Sequence, residues 1–252
     1  MKEVLLIGMG PGDPRQVTYE AVEAMRRTSV FFVLDKGLAK GELMQMRKAV
    51  LERYLEPGSY RLVQVEDPWR DTQAVDYAGA VREWHEQRAV LYARLLEDHV
   101  GANETGAFLL WGEPSLYDGT LRILERVRQR GMSLQLSVIP GISSVQALAA
   151  RHRIPLNRIG EPLTIVPGRR LAEQQRINNA VVMLDGHCAF AELDDPDLSI
   201  YWGAYLGTPD EILIAGPLHA VKLQILEARE TARRRKGWIM DAYLLRRPSP
   251  ED

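Results

Sequence analysis

The chain has 252 residues, 46% apolar and 26% charged, with a formal net charge of −2; that balance belongs to a soluble globular protein long enough for two modest domains. The slight negative charge speaks against nucleic acid as the main partner, because phosphate binding leaves a clear positive excess. A single cysteine excludes an internal disulfide framework, and with no signal-peptide pattern and no run of ~18 apolar residues the expectation is a cytoplasmic enzyme with no membrane span.

Val4-Leu5-Leu6-Ile7 is apolar on both faces and stops at glycine, as a central strand of a parallel sheet does. Gly8, Gly10 and Gly12 then allow positive φ or a close approach of the main chain to something. Asp13-Pro14, an N-cap residue followed by proline, predicts that a helix opens there, and apolar residues keep helical spacing from Val17 to Arg27. A dinucleotide fingerprint fits poorly. The third glycine comes one residue early for Gly-x-Gly-x-x-Gly, and Pro11 removes an N–H where a phosphate would sit. A turn that only shapes the fold remains an alternative on this stretch alone.

A second apolar strand, Val30 to Leu34, runs to Asp35-Lys36-Gly37 and completes a βαβ opening. A helix is predicted over Leu43 to Tyr54, a strand over Arg61 to Val65, and a long amphipathic helix over Asp71 to Val100. The strand Gly106 to Trp111 stops at Gly112-Glu113-Pro114-Ser115-Leu116-Tyr117-Asp118. A helix bearing Leu121, Leu124 and Val127 follows, then the strand Leu134 to Ile139, which stops at Pro140-Gly141. Four apolar strands thus end in turns that a parallel sheet would align along one edge. Beyond a helix starting at Ser143 the texture changes. Strands are expected at Leu163–Val166, Ala180–Leu184, Ser199–Trp202, Glu211–Ala215 and Trp238–Leu245, with one helix over Leu218–Arg234, which suggests a mixed α+β second domain.

These turns resemble those of the tetrapyrrole (precorrin and uroporphyrinogen) methylase family, the class III S-adenosylmethionine-dependent methyltransferases. The residues that carry the likeness are Gly8-Met9-Gly10-Pro11-Gly12-Asp13-Pro14, Leu34-Asp35, Gly112 to Tyr117, and Val138-Ile139-Pro140-Gly141-Ile142-Ser143-Ser144. Val181 to Leu184 and Ile214 to Leu218 add two later matches. Glu113 stands where the family more often has Asp. The likeness implies an α/β, two-domain fold: a parallel-sheet βαβ domain over residues 1–142 that holds a substrate trough, then a mixed-sheet α/β domain over 143–252. It also implies S-adenosylmethionine bound between the two, and a homodimer. The stretches Phe31 to Gly37 and Trp111 to Asp118 look most like the deacetylating members of aerobic cobalamin synthesis. Those methylate ring carbon 1 of precorrin-5 while a two-carbon bridge leaves as acetate. Another precorrin or uroporphyrinogen methyltransferase, a tetrapyrrole carrier and a nicotinamide-dependent dehydrogenase are the competing readings.

Methyl transfer from a sulfonium to an electron-rich carbon is an in-line displacement that calls for no enzyme nucleophile and no metal; positioning alone can lower its barrier by ~7–11 kcal/mol. His187-Cys188 gives no ligand spacing for a metal. By resemblance, Pro11, Gly112, Glu113, Leu116, Ser143 and Ser144 hold the cofactor, with Met183, Leu184 and Ala215 along the adenine. Met183 and Leu184 equally suit a strand core, and Ser143 a helix N-cap. A polycarboxylate substrate calls for basic residues at the trough; Lys36, Arg151, Arg169 and Arg170 are candidates, each also at home on a solvated surface, with Gly10 and Gly12 as the floor. Asp35, closing a buried strand beside the glycine turn, is the candidate for moving protons during deacetylation, although an Asp that orders the turn or holds Lys36 has the same signature. Tyr117 is a second candidate, as a hydrogen-bond donor, and it also fits an aromatic core position.

Overall fold

A computed structural model describes residues 1–35, 41–69, 76–174 and 176–248. The chain divides into two compact units, Met1–Ile142 and Ser143–Asp252. In the first, β1 (Lys2–Gly8), β2 (Val30–Asp35), β3 (Arg61–Glu66), β4 (Thr105–Leu110) and β5 (Leu134–Ile139) form a sheet in the order β3-β2-β4-β1-β5. Every pairing in it is parallel. The helices α1 (Tyr19–Arg26), α2 (Gly41–Tyr54), α3 (Tyr77–His99) and α4 (Thr120–Gln129) connect the strands.

Side chains alternate across the sheet, and this gives the unit two cores. Val4, Leu6, Phe32 and Phe108 pack with Tyr92 and Leu96 of α3 and with Ile123, Leu124 and Val127 of α4. Leu5, Ile7, Phe31 and Leu109 pack on the other face with Ala21 and Met25 of α1 and with Val50 and Leu51 of α2. Strands buried on both faces explain the unbroken apolar runs of the sequence.

One predicted boundary needs correction. Asp13 does cap a helix, but only the 3-10 turn Pro14–Gln16, through a bond from Arg15 N. The α-helix begins at Tyr19, capped by Thr18, whose hydroxyl accepts from Ala21 N at 3.1 Å. A proline start fixes φ for one turn, and a second cap at Thr18, four residues after the proline, opens the α-helix.

The second unit holds β6 (Thr164–Pro167), β7 (Asn179–Met183), β8 (Ser199–Ala204), β9 (Ile212–Pro217) and β10 (Asp241–Arg246), in the order β6-β7-β10-β8-β9. β6 and β7 are parallel, and the remaining pairs are antiparallel. The helices α5 (Ser144–His152) and α6 (Leu218–Lys236) belong to this unit. Its interior carries a polar network. Arg229 of α6 donates from Nε to Asp241 Oδ2 at 2.9 Å, and Trp202 Nε1 donates to the same oxygen at 2.9 Å. Arg229 Nη2 reaches the Asp185 carbonyl at 2.7 Å, and the Tyr243 hydroxyl donates to Asp185 Oδ2 at 2.7 Å. Burial and the Asp185 carboxylate push the Tyr243 phenol well above its ordinary range, so it stays a donor. Every charged member of the network has a partner, as buried charge requires.

Candidate active site

In the first unit the ends of β1, β4 and β5 meet backbone to backbone. A methyl group on Gly141 would stand 2.2 Å from the Gly112 carbonyl oxygen and 2.9 Å from Gly8 Cα. One on Gly8 would stand 2.7 Å from Gly141 N and 2.9 Å from Gly112 O. No side chain fits at either position, so glycine there is a packing requirement. Gly8 closes β1 and Gly141 follows β5 by two positions; the sequence marks both as strand-end glycines but not the clash that requires them.

The glycine turn after β1 is stitched to the turn after β4. Gly10 and Gly112 form an isolated antiparallel bridge, with Gly112 N donating to Gly10 O at 2.9 Å and Gly10 N to Gly112 O at 3.2 Å. Gly10 has φ +80°, Gly12 φ +149° and Gly112 φ +69°, and all three, with Pro11, are buried. Gly112 differs from its neighbours in one respect. Nothing lies within 4 Å of where its Cβ would be. Its positive φ and the open space beside it make a main-chain cradle that any side chain would invade.

Glu113 ties this turn to the third strand end. Its Oε2 accepts from Gly141 N at 2.7 Å and its Oε1 from Ser115 N at 2.8 Å. Burial alone would raise the carboxyl's pKa, but the bonds from Gly141 and Ser115 outweigh it and hold the group below the ordinary carboxylate range. Leu116 N closes the turn on the Glu113 carbonyl at 3.2 Å. Thr18 Oγ1 donates to the Pro140 carbonyl at 3.4 Å, and Tyr54 Oη donates to the Pro14 carbonyl at 2.7 Å, which anchors the segment after the first turn. Tyr117 adopts φ +54° and is 43% exposed; a tyrosine in that region stores about 1–2 kcal/mol of strain.

The structure therefore gathers Gly10, Pro11, Gly12, Gly112, Glu113 and Leu116 at one sheet edge. Asp35 is the last residue of β2, opposite Glu66 of β3, on that same carboxyl edge. Its side chain and the whole of Lys36 lie outside the described residues.

In the second unit Ser143 is a buried N-cap of α5 in a reciprocal capping box: Gln146 N donates to Ser143 Oγ at 3.3 Å, and Ser143 N to Gln146 Oε1 at 2.7 Å. Ser144 is the first residue of that helix. Met183 closes β7, and Leu184 follows with φ +53° and 60% exposure. An exposed leucine held at positive φ is strained and has no packing reason to be there. Ala215 is an exposed residue of β9. In the strand order, β10 and β8 lie between β7, which Met183 closes, and β9, which carries Ala215. Among the basic candidates, Arg151 pairs with Glu211 at 3.0 Å and Arg170 with Glu173 at 2.6 Å. Arg169 is exposed in the 3-10 turn after β6.

The profile of the tetrapyrrole (corrin/porphyrin) methylases matches residues 3–222. A precorrin-6A synthase [deacetylating] of Sinorhizobium sp is 48% identical over 255 aligned positions, which cover 100% of this chain and 98% of that protein. The crystal structure of a cobalamin-synthesis-related protein (CobF) from Corynebacterium diphtheriae superposes with a TM-score of 0.86 at 36% identity, covering 99% of this chain and 100% of that one. A uroporphyrin-III C-methyltransferase of Thermus thermophilus, solved in complex with S-adenyl homocysteine, shares the fold at 20% identity, with a TM-score of 0.64 over 97% of this chain and 92% of that one. The match over most of the chain and the strand-end turns agree: this chain belongs to the tetrapyrrole methylase family.

Proposed function

We propose that this chain transfers a methyl group from S-adenosylmethionine to precorrin-5 and yields precorrin-6A with release of acetate. The observation that carries this reading is the 48% identity, end to end, with a precorrin-6A synthase [deacetylating]. Membership of the family makes the chain a methyltransferase with S-adenosylmethionine as donor. The open cradle at Gly112 suits such a donor, because a ligand can lie against main chain that no side chain covers.

S-adenosylmethionine supplies a methyl group on a sulfonium, ready for displacement by a ring carbon. The protein's share is position. In this reading Gly112, Glu113 and Leu116 of the first unit, with Pro11, hold the donor, and Ser143 and Ser144 of the second contribute to its amino-acid and ribose parts. Met183, Leu184 and Ala215 are assigned to its adenine. Glu113 acts as a positioning residue, since both its oxygens are spent on Gly141 N and Ser115 N. The buried turn of Gly10 and Gly12 floors the substrate trough, and Lys36, Arg151 and Arg169 are assigned to substrate carboxylates. Asp35 is assigned the proton transfers that deacetylation adds to methylation, and Tyr117 is assigned as a hydrogen-bond donor.

The reading includes a cytoplasmic homodimer. One cysteine, Cys188, is in keeping with a reducing compartment; among the described residues no helix is long and apolar enough to cross a membrane. Incubation with precorrin-5 and methyl-labelled S-adenosylmethionine tests the assignment. One added methyl and one equivalent of acetate are expected. Methylation of a different precorrin, with none of precorrin-5, would overturn it.

A further inference from the structure

Arg47 of the first unit is held without a carboxylate partner among the described residues. Arg47, in α2, donates from Nε to the Leu109 carbonyl at 3.2 Å and from Nη1 to the Leu43 carbonyl, one turn back, at 3.0 Å. Those two carbonyls fix the plane of the guanidinium. Nη2 bonds to nothing among the described residues, and it is not among the side-chain atoms sealed from solvent without a partner. One edge of a rigidly held fork is therefore open.

The other buried or half-buried arginines described in this unit are neutralised: Arg88 meets Asp67 at 2.9 Å, and Arg126 meets Glu86. No ion pair of Arg47 exists among the described residues. The one carboxylate that acts on it is Asp118, through space, and Asp118 Oδ1 is occupied by Thr120 N at 2.7 Å. Burial lowers the affinity of Arg47 for its proton and Asp118 only partly restores it, yet a guanidinium stays charged throughout the working pH range. A desolvated charge with no partner is costly, and such groups persist where something else supplies the counter-charge.

Its place on the fold narrows what that something is. Leu109 is the penultimate residue of β4, three positions before Gly112. α2 follows β2 and so begins at the carboxyl edge of the sheet, where the glycine cradle lies. We propose that Arg47 anchors a carboxylate of the bound ligand, carried either by the tetrapyrrole or by the methionyl part of the methyl donor. A guanidinium with a pre-set plane recognises a carboxylate at low entropic cost. This inference rests on the methyltransferase reading above for the identity of the two ligands.

Full-length Arg47→Met and Arg47→Lys variants test it. Calorimetry with S-adenosylhomocysteine reads the donor site. Fluorescence titration with precorrin-5, and separately with uroporphyrin III as a polycarboxylate, reads the tetrapyrrole site. Arg47→Met is expected to weaken one of the two ligands by about 10- to 100-fold, with the other within twofold, an unchanged melting temperature and partial recovery in Arg47→Lys. Which ligand is lost identifies the source of the carboxylate. Both affinities within twofold of wild type would overturn the proposal. So would equal loss of both with a lowered melting temperature, because Arg47 would then be only a strut for β4. A wild-type protein that binds both ligand classes but leaves precorrin-5 unmethylated sinks the assigned reaction and leaves the Arg47 anchor standing; one that binds neither class sinks both.

Discussion

Gly141→Ala and Gly112→Ala separate the two jobs that glycine does at this sheet edge. A methyl on Gly141 would lie 2.2 Å from Gly112 O, with Gly8 C and Cα at 2.9 Å. An ordinary carbon–oxygen contact needs roughly 1 Å more. All three obstacles are main chain, so no rotamer change relieves them and the turn after β5 has to withdraw. Withdrawal also breaks the 2.7 Å bond from Gly141 N to Glu113. Overpacking costs about 1–3 kcal/mol and a hydrogen bond to a charged group about 1.5–3 kcal/mol, so a loss of roughly 3–5 kcal/mol is expected. At Gly112 the added methyl meets nothing within 4 Å, and only the φ of +69° resists it, at about 1–2 kcal/mol. Urea unfolding with S-adenosylhomocysteine calorimetry on both variants reads the difference. Gly141→Ala should be the less stable, while Gly112→Ala should stay folded and lose ligand affinity, its methyl occupying the cradle. A Gly141→Ala protein within 1 kcal/mol of wild type, or a Gly112→Ala protein that binds the ligand as before, would refute this reasoning.

Asp35→Asn is expected to lower kcat by roughly 10²–10⁴, with methylated product accumulating ahead of acetate and S-adenosylhomocysteine affinity unchanged; wild-type rates for both steps would leave Asp35 a turn-ordering role only. Glu113 has a folded pKa below its unfolded value near ~4.3, so its contribution to stability is complete above that pH and disappears as pH falls through the folded value. Melting curves from pH 7 down to pH 3 should show Glu113→Gln and wild type converging in acid, and a constant gap at every pH would count against the carboxylate. In the second unit, Tyr243→Phe leaves Asp185 with its bonds from His187 N and Ala189 N, for a loss of about 1–3 kcal/mol. Arg229→Met strands the buried Asp241 carboxylate with only Trp202, for about 3–5 kcal/mol. Urea titration that ranks Tyr243→Phe as the more damaging would overturn that account.

The first sheet was legible because strands buried on both faces are written as unbroken apolar runs: Val4 to Ile7, Val30 to Leu34, Gly106 to Trp111. Each of those strands then stops at a glycine or an aspartate that the structure places on one edge. What sequence could not reveal is which cations have a carboxylate neighbour: Glu211 lies 60 positions from Arg151 in the chain yet pairs with it, and Glu173 pairs with Arg170. Arg47 carries no signal at all, since its meaning lies in the absence of a carboxylate, and only tertiary structure reveals that. The start of α1 was misplaced for a local reason. Asp13-Pro14 and Thr18 are both good caps, and the pattern alone does not rank two caps within five residues.

A cradle made of main chain has a consequence for specificity. Gly8 and Gly141 are held by packing, the Gly10–Gly112 bridge by backbone bonds, and the tie to β5 by one carboxylate. Such an edge asks little of the other side chains, which fits a fold that persists at 20% identity in a methyltransferase with a differently named substrate. A main-chain turn of this kind, in the proposed role of donor cradle, has little capacity to tell one tetrapyrrole from another. Discrimination then falls to the groups around the cradle that present charge in fixed geometry. Among the described residues at the carboxyl edge of the first sheet, Arg47 is one whose charge is fixed in place with no carboxylate bonded to it. If the carboxylate that Arg47 holds is the tetrapyrrole's, substrate choice in this unit is exerted there before it is exerted by any glycine.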